Sequence, residues 1–149
     1  MLMRELGLPE LGAEDIAFDL RTIPGDLTEK IGQTTETQLG RMLNPRFRLV
    51  EDNGVNNVGR LLIMENEDTS LPTLVLFRDS FGSAQMQMFA SRFSRVVAVW
   101  QPNIDYGIIA REKPDFVVSQ QVERFLVSVP DDAAGPTNAE HVAKKRTAS

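Results

Sequence analysis

Three short apolar runs dominate the second half of the chain: Thr73-Leu74-Val75-Leu76-Phe77, Val96-Val97-Ala98-Val99-Trp100 and Phe116-Val117-Val118. Uninterrupted aliphatic runs of this length suit strands buried on both faces. Between the first two, Met86, Phe89, Ala90 and Phe93 recur at i, i+3, i+4 and i+7, the spacing of a helix with one buried stripe. Ile104, Ile108 and Ile109 predict a shorter helix ending near Lys113-Pro114, and Val122, Phe125, Leu126 and Val129 a closing one. Strand starts near Thr73, Val96 and Asp115 fall roughly twenty residues apart, room for one strand, one helix and two short loops. That alternation predicts parallel strands joined by right-handed helical crossovers. The expected fold class is therefore α/β, a three-layer α/β/α arrangement on a mainly parallel sheet.

The first half is less regular. Pro9, Gly12, Pro24 and Gly25, mixed with acidic residues, make the first 25 residues read as loop with a short turn of helix. Asp26 offers an N-cap for an amphipathic helix carrying Leu27, Ile31, Leu39 and Leu43, although Gly32 and the Thr34–Thr37 cluster interrupt it. Phe47, Leu49 and Val50 precede Asn53-Gly54, and Val58 with Leu61–Met64 follow it, the pattern of a β-hairpin. After Pro130 the sequence has no aromatic residue and many small and charged ones, so a disordered tail is expected. The organisation this predicts is one domain over residues 1–129, with its core at 71–129, and a tail over 130–149.

Composition narrows the chemistry. The 149 residues, 42% of them hydrophobic, suit one domain with a packed core. With no Cys, disulfides, thiolate metal sites and Cys nucleophiles are excluded. A net charge of -5 argues against nucleic acid as a partner, and Lys144-Lys145-Arg146 is too short a basic run to reverse that. No window approaches the roughly 18–20 apolar residues of a membrane-spanning helix. The opening residues lack the apolar centre of a secretory signal, so the sequence as it stands predicts a soluble chain without its own export signal. Neither cofactor nor metal is expected. The Glu65, Glu67 and Asp68 loop lacks EF-hand spacing, and Met86 and Met88 suit core packing. The single His, His141, lies in the expected tail.

In open α/β sheets, ligands bind beyond the carboxyl ends of the strands. Arg78-Asp79-Ser80-Phe81-Gly82 occupies such a position after the first run. A Ser on that turn presents its hydroxyl to the crevice, and the following N–H groups face a developing oxyanion. Asp and Ser are also ordinary N-cap residues, which accounts for the same pair without catalysis. Trp100, Gln101 and Asn103 follow the second run and border the same crevice, where they contact a sugar, stabilise an oxyanion or, for Trp100, simply pack. Asp115 begins the third strand at the opposite end of the sheet.

The block LVLFRDSFGSAQMQMFASRFSRVVAVW, followed by REKPDFVV and VERFL, resembles the SGNH-hydrolase-like domain of the alginate O-acetyltransferase (AlgX/AlgJ-like) family, specifically its C-terminal part. The resemblance spans about Leu71 to Leu126, and Gly25-Asp26-Leu27 is similar to an element upstream. It implies an SGNH/flavodoxin-like fold, incomplete on its N-terminal side, acting in acyl transfer to or from carbohydrate. Ser80 then stands in the nucleophile position and Asp79 is the acidic residue before it, both catalytic. Arg78, Gly82, Trp100, Gln101 and Asn103 contact substrate. Arg78 has a scaffold alternative, pairing with Asp79, Asp115 or Glu123. The implied partners are a polysaccharide or oligosaccharide and an acetyl donor, in a periplasmic or cell-envelope setting. The family's base is a His in an upstream Asp-x-His-Trp element that this sequence lacks, and Gln120 stands near where relatives carry Glu. Without a base the chain is expected to be inactive alone. A non-catalytic carbohydrate-binding or interaction module is the alternative, and dimerisation through apolar surface is a further possibility.

Overall fold

The computed structural model describes residues 2–8, 10–23, 29–125, 127 and 129–147. The chain divides into two compact units, Met1–Pro45 and Arg46–Ser149.

In the first unit, α1 (Leu2–Glu5) and a 3-10 turn at Ala13–Asp15 precede an antiparallel pair, β1 (Ile16–Ile23) and β2 (Thr35–Met42). The amphipathic helix expected through Ile31, Leu39 and Leu43 does not form. A 3-10 turn at Glu29–Ile31 ends at Gly32, whose φ of 68° breaks any helix, and the chain then becomes β2. The β-branched Thr35 and Thr37 favour a pleated strand. Register follows from Ile16 opposite Met42 to Ile23 opposite Thr35, and Arg41 pairs with Asp19 across the strands at 3.0 Å. Gly25, Asp26 and Leu27 lie outside the described residues.

The second unit is built on β3 (Phe47–Asp52), β4 (Leu61–Asn66), β5 (Thr73–Arg78), β6 (Arg95–Trp100) and β7 (Phe116–Gln120), in the order β3-β4-β6-β5-β7. The β5–β6 and β5–β7 pairs are parallel; β3–β4 and β4–β6 are antiparallel. The expected mainly parallel sheet in a three-layer α/β/α stack is thus corrected. The sheet is mixed, and with β1–β2 most strand pairings among the described residues are antiparallel. Loop length supplies the reason. A parallel return needs a crossover of about a dozen residues. Residues 67–72, between β4 and β5, are too few for that, so β4 runs against the others.

Only two short helices, α2 (Gly82–Ala90) and α3 (Tyr106–Glu112), connect the parallel strands. On one face Ile108 of α3 closes over Val75, Phe77, Val97 and Val99. Alternation sends Leu74, Leu76, Val96 and Ala98 to the other face, and Met86, Phe89 and Ala90 of α2 are buried with them. Asp115 fixes the start of β7 against β5: its carboxylate accepts from Thr73 N at 2.8 Å and Thr73 Oγ1 at 2.9 Å. Arg95 joins Glu65 of β4, at 2.7 Å, to Glu112 of α3, at 3.0 Å.

Beyond β7 the expected closing helix is reduced to a 3-10 turn, Glu123–Phe125; Leu126 lies outside the described residues. Where composition points to a disordered tail, the chain forms α4 (Asn138–Thr147).

Candidate functional site

The site grows from the carboxyl ends of the adjacent parallel strands β5 and β6, where Arg78 and Trp100 are register partners. A cavity of about 360 Å³ opens there. Arg78, Asp79, Trp100 and Gln101 line it, together with Val58, Pro102, Gln121, Phe125 and Pro130. Four of the residues expected to form a site are therefore brought together on one wall.

Asp79 is buried and organises the turn that carries Ser80. Its Oδ1 accepts from Phe81 N at 2.8 Å, and its Oδ2 accepts from Val122 N at 2.6 Å. Both carboxylate oxygens therefore meet backbone N–H groups, tying the β5–α2 turn to the segment after β7. Ser80 follows directly, exposed on this turn, and its carbonyl accepts from Ser83 N at 3.1 Å as α2 begins. Ser80 itself is not among the residues that line the cavity.

Arg78 is 1% exposed. Its Nη1 donates to Asp79 O at 3.1 Å and to Ser83 Oγ at 2.8 Å, while Nε is buried without a partner. The guanidinium carbon lies 4.6 Å from the centre of the Trp100 ring. Burial, with Arg60 nearby, lowers its pKa from the ordinary arginine value, while Asp79 acts in the opposite sense. Gly82 makes this placement possible. A Cβ there would lie 2.8 Å from both Arg78 Cβ and Cδ and 2.9 Å from Gln120 Oε1. Gly82 thus acts by leaving room.

Gln101 and Asn103 are buried and already engaged. Gln101 Nε2 donates to Asn103 O at 3.0 Å and its Oε1 accepts from Asn138 Nδ2 at 3.3 Å; Asn103 Nδ2 donates to Pro136 O at 3.1 Å. The C-terminal segment supplies these partners. Asn138 Nδ2 also donates to Gly59 O at 3.1 Å, and Asn138 N to Asp105 Oδ2 at 2.8 Å. Asp105 caps α3 through Gly107 N at 2.9 Å. Sequence reasoning missed Asp105 and Asn138, although an Asp just before the Ile108–Ile109 pattern is a visible N-cap signal.

His141 sits on α4 with its Cβ against Gly59. Its Nε2 is buried without a partner, and burial, then Lys144, lowers its pKa while Glu140 opposes. No hydrogen bond joins it to Ser80 among the described residues. The Glu65–Asp68 loop is committed elsewhere: Glu65 pairs with Arg95, and Asp68 Oδ1 accepts from Ser70 Oγ at 2.6 Å. Among the described residues no helix is long and apolar enough to cross a membrane.

No family model and no curated protein matches the sequence. Solved structures do match. A DHHW family protein from Eubacterium siraeum is 12% identical, with a TM-score of 0.60, over 89% of this chain and 55% of that one. Bacillus cereus PatB1 carrying a sulfonyl adduct is 15% identical, with a TM-score of 0.54, over 79% of this chain and 52% of that one. PatB1 without the adduct gives a TM-score of 0.51. At these identities the likeness is one of fold. The chain spans about half the length of the structures it matches.

Proposed function

We propose that this chain is an acyl-transfer domain related to polysaccharide O-acetyltransferases, with Ser80 in the nucleophile position. The observation that carries the reading is the wall of Arg78, Asp79 and Trp100 at the carboxyl ends of two parallel strands, immediately before an exposed Ser on a strand-to-helix turn. The fold it shares with Bacillus cereus PatB1, which also occurs with a sulfonyl adduct, supports it. Sulfonyl groups add to activated nucleophiles, and PatB1 bears one.

In the reaction, Ser80 Oγ attacks the acetyl carbonyl carbon, the bond to the donor oxygen breaks, and the acetyl ester on Ser80 passes to a carbohydrate hydroxyl. The hydroxyl proton leaves to a base and returns to the departing oxygen. The N–H groups of Ser80 and Gly82 are the donors assigned to the oxyanion, since that of Phe81 is held by Asp79. Among the described residues no base reaches Ser80: His141 lies on α4 with no hydrogen bond to it, and a Ser hydroxyl without a base is a poor nucleophile at neutral pH.

Chemical rescue tests this. The chain is expected to hydrolyse an activated aryl acetate slowly, and added imidazole to accelerate wild type beyond Ser80→Ala measured alongside. Equal rates for the two proteins with imidazole would reject Ser80 as nucleophile and favour a binding module on the same fold. A fast rate without imidazole, abolished by Ser80→Ala, would show that a base is already present.

A further inference from the structure

The cavity at the ends of β5 and β6 has polar residues in its wall, but their hydrogen-bonding groups are largely committed. Asp79 spends both carboxylate oxygens on the N–H groups of Phe81 and Val122. Arg78 is 1% exposed, with Nη1 given to Asp79 O and Ser83 Oγ. Gln101, equally buried, donates to Asn103 O and accepts from Asn138 Nδ2. Gln121 donates to Pro102 O, and its Oε1 is buried. What the cavity offers an entering group is therefore the apolar surface of Val58, Trp100, Pro102, Phe125 and Pro130.

A sugar in this space would leave water for walls with few donors or acceptors to spare, which is unfavourable for each hydroxyl. An aliphatic chain gains instead with every methylene it buries. Size points the same way. A volume of about 360 Å³ falls among pockets that enclose whole small ligands, about 300–1,000 Å³, and an acetyl group would leave most of it unfilled. The apolar surface also continues outward. Phe125 of the wall is 47% exposed and Phe81, next to Ser80, is 53% exposed. The Arg124 guanidinium lies 5.1 Å from the Phe125 ring and 5.7 Å from the Phe81 ring, so it joins the cavity to the Ser80 turn.

We propose that this cavity receives the aliphatic chain of an acyl ester longer than acetyl, with Phe125 and Phe81 carrying the apolar path toward Ser80. This deepens the acyl-transfer reading by naming its acyl group, and it rests on that reading for the step at Ser80. Binding of the chain itself needs no reaction there, so the two are tested separately.

Trp100, the only tryptophan of the chain, stands in the cavity wall, and its fluorescence reports occupancy. The full chain is titrated with methyl acetate, methyl butyrate and methyl hexanoate, and with methyl glucoside as the polar control. Affinity is expected to rise about fourfold with each added methylene, and methyl glucoside to give no saturable change. Phe125→Ala removes part of the wall, and Val58→Phe fills the space. Each is expected to weaken methyl hexanoate by about fivefold or more. A thermal melt of each variant checks folding, and Phe125→Ala serves if Val58→Phe fails to fold. A length series that rises as expected while imidazole leaves Ser80 silent supports the cavity assignment and rejects the transfer reading. The proposal is overturned if folded wild type gives no saturable response to methyl hexanoate, if the three esters bind alike, if methyl glucoside binds as tightly as methyl hexanoate, or if folded Phe125→Ala binds methyl hexanoate as wild type does.

Discussion

Arg78 and Trp100 end neighbouring parallel strands as register partners, with the guanidinium carbon 4.6 Å from the indole centre. This contact supports a buried cation that forms no ion pair with a carboxylate among the described residues. Trp100→Leu is expected to lower stability by about 1 kcal/mol or more, and Trp100→Phe by less, because phenyl keeps a weaker π face. Urea unfolding of the two variants measures the difference.

Gly82 is the companion constraint. Gly82→Ala places a methyl 2.8 Å from Arg78 Cβ and Cδ, so the arginine must shift. The expected cost is about 1–3 kcal/mol, with an altered Trp100 emission. Unchanged stability together with unchanged emission would mean that Arg78 is not held as described.

The C-terminal segment is a structural part of the second unit. Asn138 donates to Gly59, Gln101 and Asp105, and Gly135 lies so close to Asn103 that a Cβ would come within 2.6 Å of its amide. Asn138→Ala is expected to cost about 1–3 kcal/mol by leaving Gln101 Oε1 without its donor, while Gly59 O keeps its bond from Asn53 Nδ2. Hydrogen exchange over 138–147 should speed up far more than exchange in β5 and β6.

Acid should weaken this protein in two windows. His141 is held below its ordinary value of 6.5, by burial first and then by Lys144, so the folded state resists its protonation. Its contribution is complete above 6.5 and is lost as pH falls from there toward its lowered folded value. For Glu112, burial pushes the pKa up, but hydrogen bonds from Arg111 and Arg95 outweigh it and hold the carboxyl below 4.5. That contribution is present above 4.5 and disappears as pH falls through the depressed value. Urea midpoints against pH should show both steps. His141→Gln should remove the first, and Arg95→Met should shrink the second.

The legible parts of the sequence were those whose surroundings are apolar. TLVLF, VVAVW and the Ile108–Ile109 pattern can only be buried, and they form β5, β6 and α3. β2 carries Thr35, Glu36, Gln38 and Arg41 on an exposed pair of strands, so no burial pattern separated it from a helix. The direction of β4 depended on how far residues 67–72 reach, which hydrophobicity does not encode. α4 is held at its start by Asn138, bonded to the Asp105 carboxylate, Gly59 O and Gln101 Oε1, features that composition averages away. At the site, Arg78, Asp79, Trp100 and Gln101 were visible because strand ends define the crevice. Val58, Gln121, Phe125 and Pro130 come from loops whose approach no local pattern announces.

The most direct measurement is the position of a covalent acyl-type label. The chain is treated with an aryl sulfonyl fluoride and, separately, with an aryl acetate in the presence of imidazole, then digested and mapped by mass spectrometry. Modification is expected on Ser80, well above that of Ser70, Ser83 or Ser91, and absent from Ser80→Ala. A label spread evenly over these serines, or missing from Ser80 in folded protein, would contradict an acyl-transfer site at the end of β5.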